Sequence, residues 1–269
     1  MKELKYNLRC LFSRKELYLA FIGLLVVNLF HILMVIDYNS NWNLVYENEY
    51  RAEYLYILNN FNVSLNSIIV LLFPILAATT FSDASFVENK NKTDNLLYLR
   101  LNRKKLILTR FLLVVVVVFV LCFLSFLLNY LSLAYIYGSG NALTDVQSPA
   151  FYLGTTASAF LDSIRVSNVQ LFTILTIGHV SFLLSLLAGL AYSLSFFVKQ
   201  KVLIYVLPLL LIIGIEFFLS LFDLVSYSVI AQLQPSSAFS LQHAIVTYIA
   251  LPIVSLILLF FPLRQKDVL

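Results

Sequence analysis

The sequence predicts an all-α polytopic membrane protein, with six transmembrane helices behind an amino-terminal amphipathic interfacial helix, forming a single transmembrane domain over residues 1–269. Three observations carry that prediction. Hydrophobic residues make up 61% of the 269 positions and charged residues only 12%, against a usual charged share of about 25% in soluble domains. Six apolar runs are long enough to cross a hydrocarbon core, which needs about 20 residues. Lys and Arg gather in alternate connections between those runs, as the retention of basic residues on the cytoplasmic face requires.

Residues 1–16 carry Lys2, Lys5, Arg9, Arg14 and Lys15, interleaved with Leu4, Leu8 and Leu11 at helical spacing. This pattern fits a helix on the inner membrane surface, and a solvated basic tail is the alternative. Basic residues before an apolar run also begin a signal peptide, but this run is longer and lacks a small-x-small cleavage site. It is expected to remain as the first span.

The spans are expected near Leu17–Ile36, Val63–Phe81, Phe111–Tyr135, Gln170–Phe197, Val202–Phe222 and Leu241–Leu263. Outside them, 5 Lys and Arg residues precede the first, 7 follow the second, 2 lie between the fourth and fifth and 2 follow the sixth, while the other connections hold 1, 1 and 0. The 16-to-2 split predicts cytoplasmic termini. Together with the composition it places the chain in a membrane, and the uneven charge reports orientation rather than nucleic-acid binding.

The outer connections differ in character. Asp37–Asn62 is acidic and aromatic, with Trp42, Tyr46, Tyr50, Tyr54 and Tyr56 around Glu47, Glu49 and Glu53, as expected of a segment resting at the membrane–water interface. Gly138–Val169 is long, polar and rich in small residues. Asp223–Ser240 is too apolar for a free loop and too short to span. A re-entrant or interfacial helical pair broken at Pro235 accounts for it, and a tight surface loop accounts for it equally well.

Catalytic signatures are missing from the sequence. It contains no G-x-x-x-x-G-K-[ST] phosphate loop, so ATP hydrolysis is not expected on this chain. His31, His179 and His243 fall on different spans without metal-binding spacing, so no metal site is expected. Cys10 and Cys122 are too differently placed to pair. No cofactor is expected on the chain itself.

Glu216 is the one acidic residue inside an expected span. An ionisable group at membrane depth is a candidate for the transport path, and structural hydrogen bonding or snorkelling is the plainer reading. Asn66, Asn129, His179, Ser181 and Ser185 are further polar positions that can line a path, although close helix packing also favours small polar residues. Pro74, Pro208 and Pro252 lie inside spans, where they loosen helical hydrogen bonding.

The connection after the second run, residues 82–110, holds Lys90, Lys92, Arg100, Arg103, Lys104, Lys105 and Arg110. It reads FPILAATTFSDASFVENKNK into LYLRLNRKKLILTRFL. This resembles the second span, cytoplasmic coupling segment and third span of small bacterial ABC-2 type ABC transporter permeases. The likeness rests on Phe81, Ser82 and Asp83, then Glu88, Lys90 and Lys92, then Asn102, Arg103, Lys104 and Lys105; Thr93, Asp94 and Asn95 stand where the family often has a glycine.

The resemblance implies a non-catalytic permease of a bacterial plasma membrane that pairs with itself or a related permease and carries separate ABC ATPase subunits, on which ATP and Mg would reside. The charged residues Asp83, Glu88, Lys90, Lys92 and Asp94, with Leu96 and Leu97 on a short helix, would then form the ATPase-coupling surface. The alternative is that these charges anchor orientation against phospholipid headgroups. By analogy the substrate would be a peptide or bacteriocin, a drug or a lipid-like compound moved outward. An ion-coupled secondary carrier and a non-transporting scaffold or sensor are the competing functions.

Overall fold

The computed structural model describes residues 2–41, 52–59, 63–91, 97, 101–139, 164, 167–233 and 240–264, without the side chains of 38–41, 54, 59 and 63–70. The described residues are helical, with no strand among them. In chain order the helices are α1 (Lys2–Phe12), α2 (Lys15–Asn41), α3 (Ala52–Leu55), α4 (Val63–Thr79), α5 (Ala84–Lys90), α6 (Arg103–Tyr137), α7 (Val169–Leu194), α8 (Lys201–Ser220), α9 (Val229–Leu233) and α10 (Leu241–Arg264).

Among the described residues, α2, α6, α7, α8 and α10 are long and apolar enough to cross a membrane. The expected second span takes another form. Helix α4 has 17 residues, about 26 Å of rise against a hydrocarbon core of about 30 Å. It combines with α5 across a 50° bend into a sixth candidate span. The bend falls at 80–83, whereas Pro74 stays within the continuous helix.

Helix α7 is the axis of the bundle, packed against α4, α6, α8 and α10. Its most apolar stretch is 67% buried, compared with 22–33% in the other four long helices. Their outer faces carry large apolar side chains, such as Leu112, Val116, Val120, Leu124 and Leu128 along α6. A soluble helix would turn that stripe inward; here it faces out, as it must when the solvent is lipid. Helix α6 packs tightly on α7 at Gly189, where a Cβ would lie 3.0 Å from both Phe111 and Val115.

The helix ends follow local chemistry. Asn102 caps α6 by accepting the Lys105 backbone N–H at 3.1 Å, which starts the helix at Arg103 rather than near Phe111. The expected 82–110 loop is therefore partly helix, containing α5 and the first turns of α6. Helix α8 closes in a Schellman turn, with Asp223 at φ 56° and the Leu224 N–H reaching the Leu219 carbonyl at 3.0 Å.

One connection departs from expectation. The stretch around α3 turns inward instead of resting at the interface: Ala52, Tyr56, Ile57 and Leu58 are buried against α6 and α7. In the expected re-entrant region, a single turn at Val225–Tyr227 leads into α9, which packs on α7 and α8. Pro235 lies outside the described residues.

Basic residues gather at one end of the bundle, where Glu3, Glu16, Asp83 and Glu88 also lie. The starts of α6 and α8, the end of α10 and all of α1 meet at one end and hold Lys2, Lys5, Arg9, Arg103, Lys104, Lys105, Lys201 and Arg264. Asp37, Glu53, Glu216 and Asp223 lie toward the other end.

Candidate functional site

At the basic end the side chain of Arg110, about two helical turns inside α6, is 2% exposed. Its guanidinium meets Glu88 of α5 with both prongs, Nη1 to Oε2 at 2.7 Å and Nη2 to Oε1 at 2.9 Å. Arg110 Nε donates to Asn7 Oδ1 of α1 at 3.1 Å, and Nη1 lies 3.4 Å from Ser85 Oγ. Asn7 Nδ2 in turn donates to the Leu106 carbonyl and to Thr109 Oγ1. Ser85 Oγ donates to Tyr192 of α7 at 3.2 Å. One buried cation thus joins α1, α5, α6 and α7, and bidentate geometry with charge-assisted bonds offsets its desolvation.

Tyr6 donates to Glu88 Oε1 at 3.4 Å. Burial raises the pKa of its phenol, and a hydrogen bond with Cys10 and the Glu88 charge add to the rise.

A second ionic group lies beside the first. Asp83, fully buried at the bend between α4 and α5, receives Arg14 Nη1 at 2.7 Å and Lys201 Nζ at 3.1 Å. Lys201 also reaches Glu16 at 2.7 Å. Phe81 connects the groups, with Arg14 5.0 Å and Arg110 5.8 Å from its ring centroid. Ser82 Oγ donates to the Ala188 carbonyl at 3.0 Å, fixing the bend to α7. The bend is therefore held by charge and hydrogen bonding to the α1–α2 turn, α7 and α8.

These contacts place the expected coupling residues. Asp83 and Glu88 face inward onto cations of this chain. Lys90 is exposed at the end of α5 and Leu97 is half-buried. Lys92, Asp94 and Leu96 lie outside the described residues.

Two of the expected path residues, Asn129 and His179, belong to separate networks. Asn129 Oδ1 accepts the Ile57 backbone N–H at 3.0 Å, so its Nδ2 donates to the Asn28 carbonyl and to His31 Nδ1, each at 3.3 Å. That assignment puts the His31 proton on Nε2. Asn28 donates to Ser125 Oγ, and Tyr130 donates to the buried Glu53 at 2.9 Å. This network pins the α3 region to α2 and α6.

In the other network, His179 of α7 pairs through Nδ1 with the Tyr248 hydroxyl and through Nε2 with the Gln232 carbonyl at 3.1 Å. Gln232 Nε2 donates to Thr247 Oγ1 at 2.7 Å and to the His243 carbonyl at 3.3 Å. It holds α9 between α7 and α10. Ser185 bonds the Phe182 carbonyl within its own helix, and Ser181 Oγ is buried without a partner. Glu216 is half-buried on α8, its Oε2 unpartnered. Asn66 is on α4, but its side chain is outside the described set.

The sequence reading missed Asn7, Arg14, Ser85, Arg110 and Lys201 as partners of Asp83 and Glu88, and it missed the burial of Glu53. One signal was present: Arg110 stands against the apolar run that begins at Phe111, where an unpaired cation would be costly. Among the described residues no group of His, Cys, Asp or Glu is arranged to hold a metal ion. Compared with known families, curated proteins and solved structures, the chain matches none.

Proposed function

We propose that this chain is the transmembrane subunit of an ATP-driven ABC-2 type exporter, pairing with a second permease and moving an amphipathic or hydrophobic substrate outward through a bacterial plasma membrane. The basic end faces the cytoplasm in this reading, and ATP with Mg binds the separate ATPase subunits. The observation that carries it is α5, a short helix turned 50° from α4 and held to four other helices by Arg110, Glu88 and Asp83. Force applied to α5 would move α4, α6 and α7 together, a rigid-body response suited to alternating states.

Docking would use the exposed outer side of α5, with Lys90, and the adjoining Lys92. Asp83 and Glu88 would act behind that surface by holding α5 in place. The test is purification of the tagged chain from its native membranes in mild detergent, beside Lys90→Ala/Lys92→Ala. A stoichiometric ATPase that is lost from the variant supports the proposal, and no ATPase with either protein would sink it. Leaving Glu88 intact keeps loss of docking separate from loss of folding.

An ion-coupled carrier is the second reading, favoured by buried Glu53 and His31 in the network centred on Asn129 and Tyr130. It requires substrate flux in vesicles driven by an ion gradient without ATP. Flux that follows ATP alone would remove it.

A further inference from the structure

Helix α1 presents distinct faces. At about 100° per residue, Lys2, Lys5 and Arg9 occupy one sector of about 60°, and all three are exposed. Leu4, Leu8 and Phe12 fill the adjoining sector, with Leu4 43% and Phe12 59% exposed. Asn7 and Leu11 come next and are buried toward α6, and the half-buried Glu3, Tyr6 and Cys10 close the circuit.

The exposed apolar sector continues along the chain into Tyr18, Leu19 and Ile22 of α2, which are also exposed. On a bundle whose outer face meets lipid, that continuity sets Leu4 and Phe12 against acyl chains. Lys2, Lys5 and Arg9 then stand at headgroup height, and the structure gives none of them an ion-pair partner among the described residues. Three uncompensated cations beside an apolar strip complement a molecule with an anionic head and a hydrocarbon body.

We propose that this face of α1 is a binding site for anionic phospholipid, with the phosphate held by Lys2, Lys5 and Arg9 and the chains against Leu4 and Phe12. A purely acidic protein partner would match the cations but would leave the apolar strip and its continuation on α2 uncovered. Bound lipid has a structural consequence. Because the opposite face of α1 places Asn7 on Arg110, lipid seated on the outer face restrains α1 against the ion-paired end. The site stands apart from the exporter reading and requires only membrane placement.

The test uses the full chain in neutral detergent, titrated with phosphatidylglycerol or phosphatidylcholine of matched acyl chains. Retained lipid is counted by native mass spectrometry and the shift in Tm is recorded. Phosphatidylglycerol should be retained and raise Tm more than phosphatidylcholine. The variant Lys2→Gln/Lys5→Gln/Arg9→Gln should bind it roughly a hundredfold more weakly, from about fivefold per basic residue near an anionic surface. Its response to phosphatidylcholine should be unchanged.

Equal effects of the two lipids on the native chain would overturn the site, as would full phosphatidylglycerol binding by the variant. Inorganic phosphate matching the phosphatidylglycerol effect would overturn it too, since the apolar strip would then play no part.

Discussion

Arg110 of α6 and Glu88 of α5, 22 residues apart in sequence, form a two-pronged ion pair with N–O distances of 2.7 and 2.9 Å. Arg110 is 2% exposed and Glu88 13%, so removing one partner leaves a charge where water cannot replace it. Glu88→Ala is expected to cost about 3–5 kcal/mol and to lower the Tm of the full chain in detergent. Arg110→Met combined with Glu88→Leu should lose much less than the sum of the single variants, because no orphaned charge remains. An additive double variant would show that the two side chains are not coupled.

Asp83 supports the same end differently. Its carboxylate is fully buried, but its partners Arg14 and Lys201 are 16% and 38% exposed and can turn to water. Asp83→Asn keeps the shape and removes the charge, so a smaller loss of about 2 kcal/mol is expected. The checking measurement is hydrogen exchange across residues 80–91, which should quicken there first. Protection lost uniformly over the bundle would contradict a role confined to the bend.

Much of the helix layout is legible in the sequence, because runs such as 202–222 and 241–263 have only one stable use in lipid. The early start of α6 was masked by Arg103, Lys104 and Lys105, whose charge suggests a loop although Asn102 caps a helix there. The α3 region misled for another reason. Tyr54, Tyr56 and Glu53 have the composition of an interfacial segment, and only contacts with Asn129 and Tyr130, far along the chain, draw Ile57 and Glu53 inside. Pairing over such distances also hid the site: Asp83 and Glu88 read as charges for a partner until Arg14, Lys201 and Arg110 were placed beside them. Local periodicity does not encode which distant charge will be close.

His179 anchors α9 through the Gln232 carbonyl and also meets Tyr248. His179→Ala should release α9 while leaving α7 intact, at a cost of about 1–3 kcal/mol for the buried groups left unpaired. Faster hydrogen exchange at 229–233 than elsewhere would match that expectation. Unchanged exchange there would mean that Gln232 and Thr247 are sufficient to hold the helix.

Glu216 is half-buried with one unpartnered oxygen. In the exporter proposal, Glu216→Gln should reduce transport severalfold in vesicles while leaving assembly and Tm near the native values. Unchanged transport would remove Glu216 from the path.

The inward turn around α3 gives the last prediction. Ile57 donates its backbone N–H to Asn129 Oδ1, and Leu58 beside it is only 3% exposed. Asn129→Leu keeps comparable bulk but leaves the Ile57 N–H, the Asn28 carbonyl and His31 Nδ1 without that amide, a loss of about 1–3 kcal/mol for each buried group left unmet. Water can satisfy Ile57 only if the segment moves outward, so the substitution should favour an open arrangement. Leu58→Cys in a background of Cys10→Ser/Cys122→Ala reads this directly with a membrane-impermeant thiol reagent. The thiol should be protected when Asn129 is present and labelled at least severalfold faster in Asn129→Leu. Equal labelling would mean that apolar packing of Tyr56, Ile57 and Leu58 holds the segment, and that Asn129 serves α2 and α6 alone.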